Sequence, residues 1–314
     1  MKHFTQVSDV DDIDALVERA REFKKSPHKA GKLGRERTLI LLFFNPSLRT
    51  RLSTETAALK LGLSVLTMNA AQGWKLEFAD EVVMDSDRAE HIREAAAVIS
   101  QYGDIIGIRT FPTLTDREQD YQDRVLNSFI KYASVPVISL ESAIRHPLQS
   151  LTDVMTIEEY KKNKRPRIVL SWAPHPKALP QAVANSFAEW MRAVHADLVI
   201  THPEGYDLAP EFVGNTPVEQ DQQKALAGAD FVYTKNWSSY QYYGEKLIDE
   251  KQWMITPEKM ALTNDAYFMH CLPVRRNVVV ADAVIDSPQS LVIPQAGNRQ
   301  WAAQAVLEAM LKSL

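Results

Sequence analysis

Cysteine is nearly absent from this 314-residue chain, Cys271 being the only one. That excludes an intrachain disulfide framework and fits a reducing compartment. Glycine is scarce as well, 11 in all, and neither a GxxxxGK[ST] loop nor a GxGxxG turn is present. A nucleotide cradled by a Gly-rich loop is therefore not expected. No GxSxG elbow offers a serine nucleophile. His270 and Cys271 are neighbours, and on a strand their side chains point to opposite faces, a poor pair for one metal. No metal and no cofactor are expected. No apolar run is long enough to span a membrane, and "MKHFTQVSDVDDIDAL" lacks the apolar core of a signal peptide, so the reading is a cytoplasmic protein without membrane contact. A formal net charge of -4 argues against general nucleic-acid binding. Any anion site must be a local concentration of Lys, Arg and His.

What is present reads as an ordinary globular balance, 45% hydrophobic and 24% charged, enough for a sizeable core. Residues 9–25, "DVDDIDALVERAREFKK", put Ile13, Leu16, Val17, Ala20 and Phe23 at helical spacing behind acidic residues that suit a helix start. Apolar runs then alternate with helical segments: "TLILLFF", "LSTETAALKLG", "LSVLTM", "AEHIREAAAVISQY", "DIIGIR", "YQDRVLNSFIKYA", "PVISLE". The rhythm repeats from "RIVLSW" to "AYFMHCLP" and ends in a helix, "NRQWAAQAVLEAMLKSL". Alternation of this kind predicts an α/β protein of two domains, each a parallel sheet flanked by helices. The division falls near residues 140–165, where "HPLQSLTDVMTIEEYKKNKRPR" reads as a linking helix followed by a basic linker.

In an open parallel sheet ligands sit beyond the carboxyl ends of the strands, so the residues after each apolar run carry the information. Ser47, Arg49, Thr50 and Arg51 follow the first run, Arg109 ends "DIIGIR", and Glu141 ends "PVISLE" with His146 and Gln149 just beyond. In the second half His175 and Lys177, His202, Lys235, and Cys271 with Arg275 occupy the same positions. A cleft between the domains would be electropositive. At "FFNPSLRTR" a strand turns into a helix, where backbone N–H groups and the Ser and Thr hydroxyls face an anion and Arg49 adds a fork for phosphate oxygens. An isolated "RTR" would be two solvated helix-start arginines; Arg109 and His146 at neighbouring strand ends argue otherwise.

"SLRTR", "HPLQ" (His146 to Gln149), "HCLP" (His270 to Pro273) and "NR" (Asn298, Arg299) before an Ala-rich helix occur in the order seen in the aspartate and ornithine transcarbamylases, which the chain resembles over nearly its full length. The resemblance implies a carbamoyl-phosphate domain, residues 1–145 joined by the C-terminal helix at about 297–314, and a second-substrate domain, residues 146–296, linked by interdomain helices. It implies a homotrimer with shared active sites, Trp74 of "QGWKLE" reaching the adjacent subunit's site. Carried over by motif, Ser47, Leu48, Arg49, Thr50 and Arg109 hold the phosphate, and Thr50, Arg109 and His146 polarise the carbonyl. Gln149, Cys271, Leu272 and Arg299 complete the pocket. Arg51 is left a supporting or oligomer-contacting role. The chemistry needs oriented donors on the phosphate and on the developing oxyanion, and no covalent nucleophile.

The second substrate is read from departures. Ornithine transcarbamylases carry an Asp and an S-M-G segment where this chain has "YTKNWSSYQYYG", and a cation at Lys235 cannot pair with an α-ammonium. The surrounding stretches resemble the members that use N-acylated ornithine, in which residues matching His175 and Lys235 hold the α-carboxylate and one matching Glu141 lies at the substrate. At the position matching Ala89, acetylornithine enzymes have Glu and succinylornithine enzymes Pro. Ala leaves room and neutrality, and Arg275 is the expected receiver of a succinyl carboxylate. The expected reaction is carbamoyl transfer to N-succinyl-L-ornithine in arginine biosynthesis. The alternatives are N-acetyl-L-ornithine, then free ornithine or a non-catalytic phosphate-binding homologue.

Overall fold

The computed structural model describes residues 1–70, 74–248 and 251–314. The chain divides into two compact units: unit 1 comprises residues 1–113, 118–148 and 299–314, and unit 2 comprises 114–117 and 149–298. Two helices, Pro147–Tyr160 and Val292–Leu311, carry the chain from one unit into the other.

Unit 1 is built on strands β1 (Thr38–Phe43), β2 (Ser64–Asn69), β3 (Leu76–Glu77), β4 (Glu90–His91), β5 (Ile105–Arg109) and β6 (Val137–Glu141). Four of them form a sheet in the order β2-β1-β5-β6, parallel throughout. The runs "LILLF" and "II" of β1 and β5 are buried, as expected of strands covered on both faces. β2 lies at an edge, and its Leu66 and Met68 are exposed. The first helix, Ile13–Lys25, starts where Asp12 accepts the Ala15 N–H and buries Leu16, Val17, Ala20 and Phe23. It is pinned to the far end of the chain by Arg19, whose Nε and Nη2 bond both carboxylate oxygens of Glu308 at 2.6 and 2.5 Å. The helix Leu48–Leu61 ends at Gly62, whose φ of 86° suits a left-handed cap. A Cβ there would lie 2.6 Å from the Gly31 carbonyl oxygen.

Unit 2 is built on β7 (Arg167–Trp172), β8 (Asp197–Thr201), β9 (Val218–Glu219), β10 (Phe231–Lys235) and β11 (Tyr267–Met269), in the order β11-β10-β7-β8-β9. All pairings are parallel. The carboxyl ends of β7, β10 and β11 therefore lie side by side. Trp172 is buried against Tyr206 and donates its indole N–H to the Trp237 carbonyl at 3.0 Å.

Two expectations change. The stretch "AEHIREAAAVISQY" is not helical from Ala89. Glu90 and His91 pair with β3, Ala89 N–H donates to Lys75 O at 3.0 Å, and the helix is Ile92–Ile99 behind His91 as its cap. Backbone groups committed to β3 are not available to a helix. The last helix begins at Val292, so Asn298 and Arg299 are interior to it rather than at its start. "VIPQAG" reads as a break because of Pro294 and Gly297, yet a proline in the first helical turn removes no intrahelical hydrogen bond.

Candidate active site

In unit 1 the expected anion residues meet at the carboxyl ends of β1, β5 and β6. Ser47 caps the helix Leu48–Leu61, its hydroxyl accepting the Thr50 N–H at 3.3 Å. Leu48 is exposed, Arg49 half-buried and Thr50 buried. The Thr50 hydroxyl accepts from Arg109 Nη1 at 3.2 Å and from Arg299 Nη2 at 3.0 Å. Arg299 Nη1 lies 3.5 Å from His146 Nε2. Of the two buried guanidinium groups on the Thr50 hydroxyl, Arg109 is held by an internal counter-charge. Arg109 Nη1 bonds Glu141 Oε2 at 2.5 Å, and the same oxygen lies 3.5 Å from His146 Nε2. The register of β5 against β6 explains the contact: an irregularity after Ile108 skips Leu140 and places Arg109 opposite Glu141. Phe111 stacks its ring 4.6 Å from the Arg109 guanidinium carbon. The Arg109 and Arg299 guanidinium groups and the His146 ring converge on Thr50 and Glu141, donors that suit an anion, while the buried charge of Arg109 keeps a partner. Arg51 points away from this work. It is exposed and paired with Glu55 at 2.9 Å along the same helix.

In unit 2 a second group forms beyond β7, β10 and β11. His175 accepts on Nε2 from Arg275 Nε at 3.0 Å, which suits a neutral ring, and its Nδ1 lies 2.9 Å from the Lys177 carbonyl and 3.1 Å from the Lys177 N–H. Burial, and then the cations of Arg275, Lys235 and Lys177, hold the His175 pKa below its ordinary value. Arg275 and Lys177 are exposed, and His175 and Lys235 half-buried. Three cations about one neutral imidazole suit carboxylates. Deeper in the unit lies Gln149, which donates to Asp153 Oδ1 at 2.8 Å. Leu272 has φ 55°, a costly conformation for a non-glycine residue, and its N–H donates to His270 Nδ1 at 2.9 Å. Cys271 and His270 are buried. His202, at the end of β8, is a buried ring beside its own Pro203 carbonyl at 2.8 Å, its pKa pushed down by burial.

The sequence reading grouped Glu141 with the acylornithine residues; in the structure its carboxylate partners Arg109 and His146. Ala89 and Trp74 belong to a third feature of unit 1. Trp74 packs against the core of its own unit, and Ala89 is exposed beside β3. Gln72 and Gly73 of "QGWKLE" lie outside the described residues. Sequence reasoning missed Asp153 and Gln295, the partners of Gln149 and His270. The spacing of Gln149 and Asp153, four apart in one predicted helix, was the available signal.

Comparison with known proteins gives the following. Residues 2–159 match the family described as aspartate/ornithine carbamoyltransferase, carbamoyl-P binding domain, and residues 180–310 its Asp/Orn binding domain. An N-succinylornithine carbamoyltransferase of Bacteroides thetaiotaomicron is 55% identical over 100% of both chains. An N-acetylornithine carbamoyltransferase of Xanthomonas campestris is 40% identical over 99% of this chain and 98% of that one. Among solved structures, a Glu-to-Ala mutant of N-acetyl-L-ornithine transcarbamylase complexed with carbamyl phosphate and N-succinyl-L-norvaline superposes with a TM-score of 0.92, at 37% identity, covering 99% of this chain and 100% of that one.

Proposed function

This chain belongs to the aspartate/ornithine carbamoyltransferase family, and we propose that it transfers the carbamoyl group of carbamoyl phosphate to the side-chain amine of N-succinyl-L-ornithine, giving N-succinyl-L-citrulline and phosphate. The observation that carries the reading is the buried set in which Thr50 receives Arg109 and Arg299 while Arg109 is held by Glu141. Binding phosphate alone does not call for a buried hydroxyl, two guanidinium groups and an imidazole aimed together. Polarising a carbonyl beside a phosphate does.

Each group then has a task. Ser47, the N–H groups of Leu48 and Arg49, and the Arg49 and Arg109 side chains bind the phosphate and neutralise it as it leaves. Thr50, Arg109 and His146 stabilise the oxyanion that forms when the amine attacks the carbonyl carbon. Arg299 holds Thr50 and His146 in place. Gln149, Cys271 and the Leu272 segment take the carbamoyl nitrogen, and Trp74 of a neighbouring copy completes the phosphate pocket. In this reading residues 1–145 and about 297–314 take carbamoyl phosphate and 146–296 the acylornithine, with His146 falling in the first compact unit. His175 and Lys235 bind the α-carboxylate, Arg275 the succinyl carboxylate, and Ala89 leaves the acyl chain room. Glu141 serves the acylornithine amine through its charge. Two matters favour the succinyl group: the 55% identity to an N-succinylornithine enzyme, and the fact that a relative with Glu replaced by Ala is solved with N-succinyl-L-norvaline. The place in metabolism is arginine biosynthesis, in the cytoplasm, as a lone thiol suits.

The working form is a homotrimer in which Trp74 reaches the neighbouring subunit's site. Leu48, Leu52 and Leu59 lie on one stripe of their helix and are 68%, 56% and 65% exposed, beside edge strand β2 with Leu66 and Met68 also exposed. An apolar stripe of that kind supports association of copies. Turnover of succinyl-, acetyl- and free ornithine at saturating carbamoyl phosphate tests the reading. A clear preference for acetylornithine overturns the substrate, and no carbamoyl transfer to any of the three overturns the reaction.

A further inference from the structure

One buried carboxylate in unit 2 has no task in the reaction as described. Asp153 sits one helical turn after Gln149 in the helix Pro147–Tyr160 and is 0% exposed. Its Oδ1 accepts from Gln149 Nε2 at 2.8 Å and from Gln295 Nε2 at 2.7 Å. Gln295 in turn accepts the His270 N–H on Oε1 at 3.0 Å, and His270 Nδ1 accepts the Leu272 N–H at 2.9 Å. The Tyr233 side chain, also wholly buried, neighbours both Asp153 and Cys271. Burial, followed by those two groups, raises its pKa well above a phenol's ordinary value, so it remains a neutral O–H. A single carboxylate thus joins the helix bearing Gln149, the last helix and the His270–Leu272 segment.

The chemistry of that junction is directional. A carboxylate can only accept, so both glutamines must turn their NH2 groups toward it. Gln149 then presents its carbonyl oxygen on the opposite side, and Gln295 its own oxygen to the His270 N–H. Neutral residues would hold three segments together at less cost, because a buried charge forfeits several kcal/mol of hydration that hydrogen bonds only partly return. What a neutral partner cannot do is forbid the flipped amide. A carbamoyl NH2 is a donor, and a flipped Gln149 would meet it with another donor.

We propose that Asp153 is a positioning residue for carbamoyl transfer: through Gln149 directly, and through Gln295 to the His270–Leu272 backbone, it fixes acceptor oxygens toward the carbamoyl nitrogen. The inference rests on the carbamoyltransferase reading. It assigns to Gln149 a single working orientation and to the 149–153–295 chain the job of holding it.

The test uses the full-length protein, with carbamoyl phosphate and N-succinylornithine as the probes. Asp153→Asn still offers one oxygen but also an NH2, so one glutamine must flip or lose its bond. Its kcat falls roughly 10- to 100-fold, the scale of a misdirected reacting group, while the KM for carbamoyl phosphate, set by unit 1, changes little. In a Gln149→Ala background the same substitution lowers kcat less than about 3-fold, because residues acting as a unit are not additive. The reversed pair, Gln149→Glu with Asp153→Asn, restores a donor-to-carboxylate bond with opposite polarity and keeps an acceptor facing the substrate. It exceeds Gln149→Glu alone by about 10-fold in kcat, a comparison that also serves if Asp153→Asn alone does not fold. Equal loss from Asp153→Asn with and without Gln149, or no gain in the reversed pair, overturns the proposal and leaves Asp153 a scaffold. Wild-type turnover run alongside separates the two failures: no transfer at all sinks the parent reading, whereas normal transfer with an inert Asp153 sinks only this one.

Discussion

The two units handle charge in opposite ways. In unit 1 Arg109, Arg299, His146 and Glu141 are all buried: Arg109 and Arg299 meet on the Thr50 hydroxyl, Glu141 bonds Arg109, and His146 lies 3.5 Å from both Glu141 and Arg299. In unit 2 Arg275 and Lys177 are exposed; Arg275 donates to the His175 imidazole, and the charges of Lys235 and Lys177 act on the same ring. The difference follows from what each must recognise. A buried, pre-paired set does not reorganise when charge develops on a small rigid group, which is where electrostatic catalysis gains most. An open cationic set in high dielectric gives modest binding energy but tolerates a long flexible substrate with carboxylates at its ends. The buried set suits developing charge, and the open set suits selection among substrates.

Breaking the internal pairing of unit 1 has the largest effect expected. Arg109→Met removes the donor assigned to phosphate and oxyanion in the proposed function and leaves Glu141 buried without its cation. We expect kcat/KM to fall about 10³-fold, and unfolding in urea to show a loss of about 3–5 kcal/mol. Adding Glu141→Gln should return much of the stability and none of the activity. If the single variant keeps wild-type stability, the pre-paired description of unit 1 is wrong. Next in size, Arg49→Ala removes the half-buried cation at the helix N-terminus. Activity should drop roughly 10²-fold, and near-normal turnover would take Arg49 out of the mechanism.

How much of this could be read in the chain itself depended on the range of the signal. β1, β5, β6, β7 and β10 were legible because a strand covered on both faces is an unbroken apolar run, and the residue after the run is easily named. That is how Arg109, His175 and Lys235 were found. Ala89 was misread as helical because β3 and β4 are two residues each, too short for any periodicity, and their pairing is a contact across the intervening loop. The start of the last helix was hidden by Pro294 and Gly297, both punctuation in a general sequence and both harmless where they fall here. The partnership of Arg109 with Glu141 depends on a one-residue register shift between two strands. Nothing in either strand alone encodes it.

The open set of unit 2 is sharpened by Arg275→Ala. An exposed charge-assisted bond to a substrate carboxylate should cost about 10-fold in KM for N-succinylornithine, with kcat held within about 2-fold. The same change should move the KM for N-acetylornithine less, since the acetyl group brings no second carboxylate. Equal shifts for both would show that Arg275 serves the shared α-carboxylate instead.

The smallest expected effect concerns His175, the neutral centre of that set. Burial and three cations depress its folded pKa below 6.5, the value it has when unperturbed. Above 6.5 both folded and unfolded chains hold the ring neutral, and its contribution to stability is fully present. As pH falls below 6.5 the unfolded chain takes up the proton first, so that contribution is lost progressively toward the lower folded pKa. His3 and His202 are depressed by burial in the same direction, so the wild type will lose stability on acidification even without His175. The informative quantity is a difference. His175→Gln keeps an acceptor for Arg275 but cannot take a proton, and its urea midpoint, followed from about pH 8 to about pH 5, should decline less steeply than that of the wild type. Parallel curves would mean that His175 is not held neutral by its surroundings. In that case Arg275, Lys235 and Lys177 would not act as one field, and the contrast between the buried and open sets would rest on exposure alone.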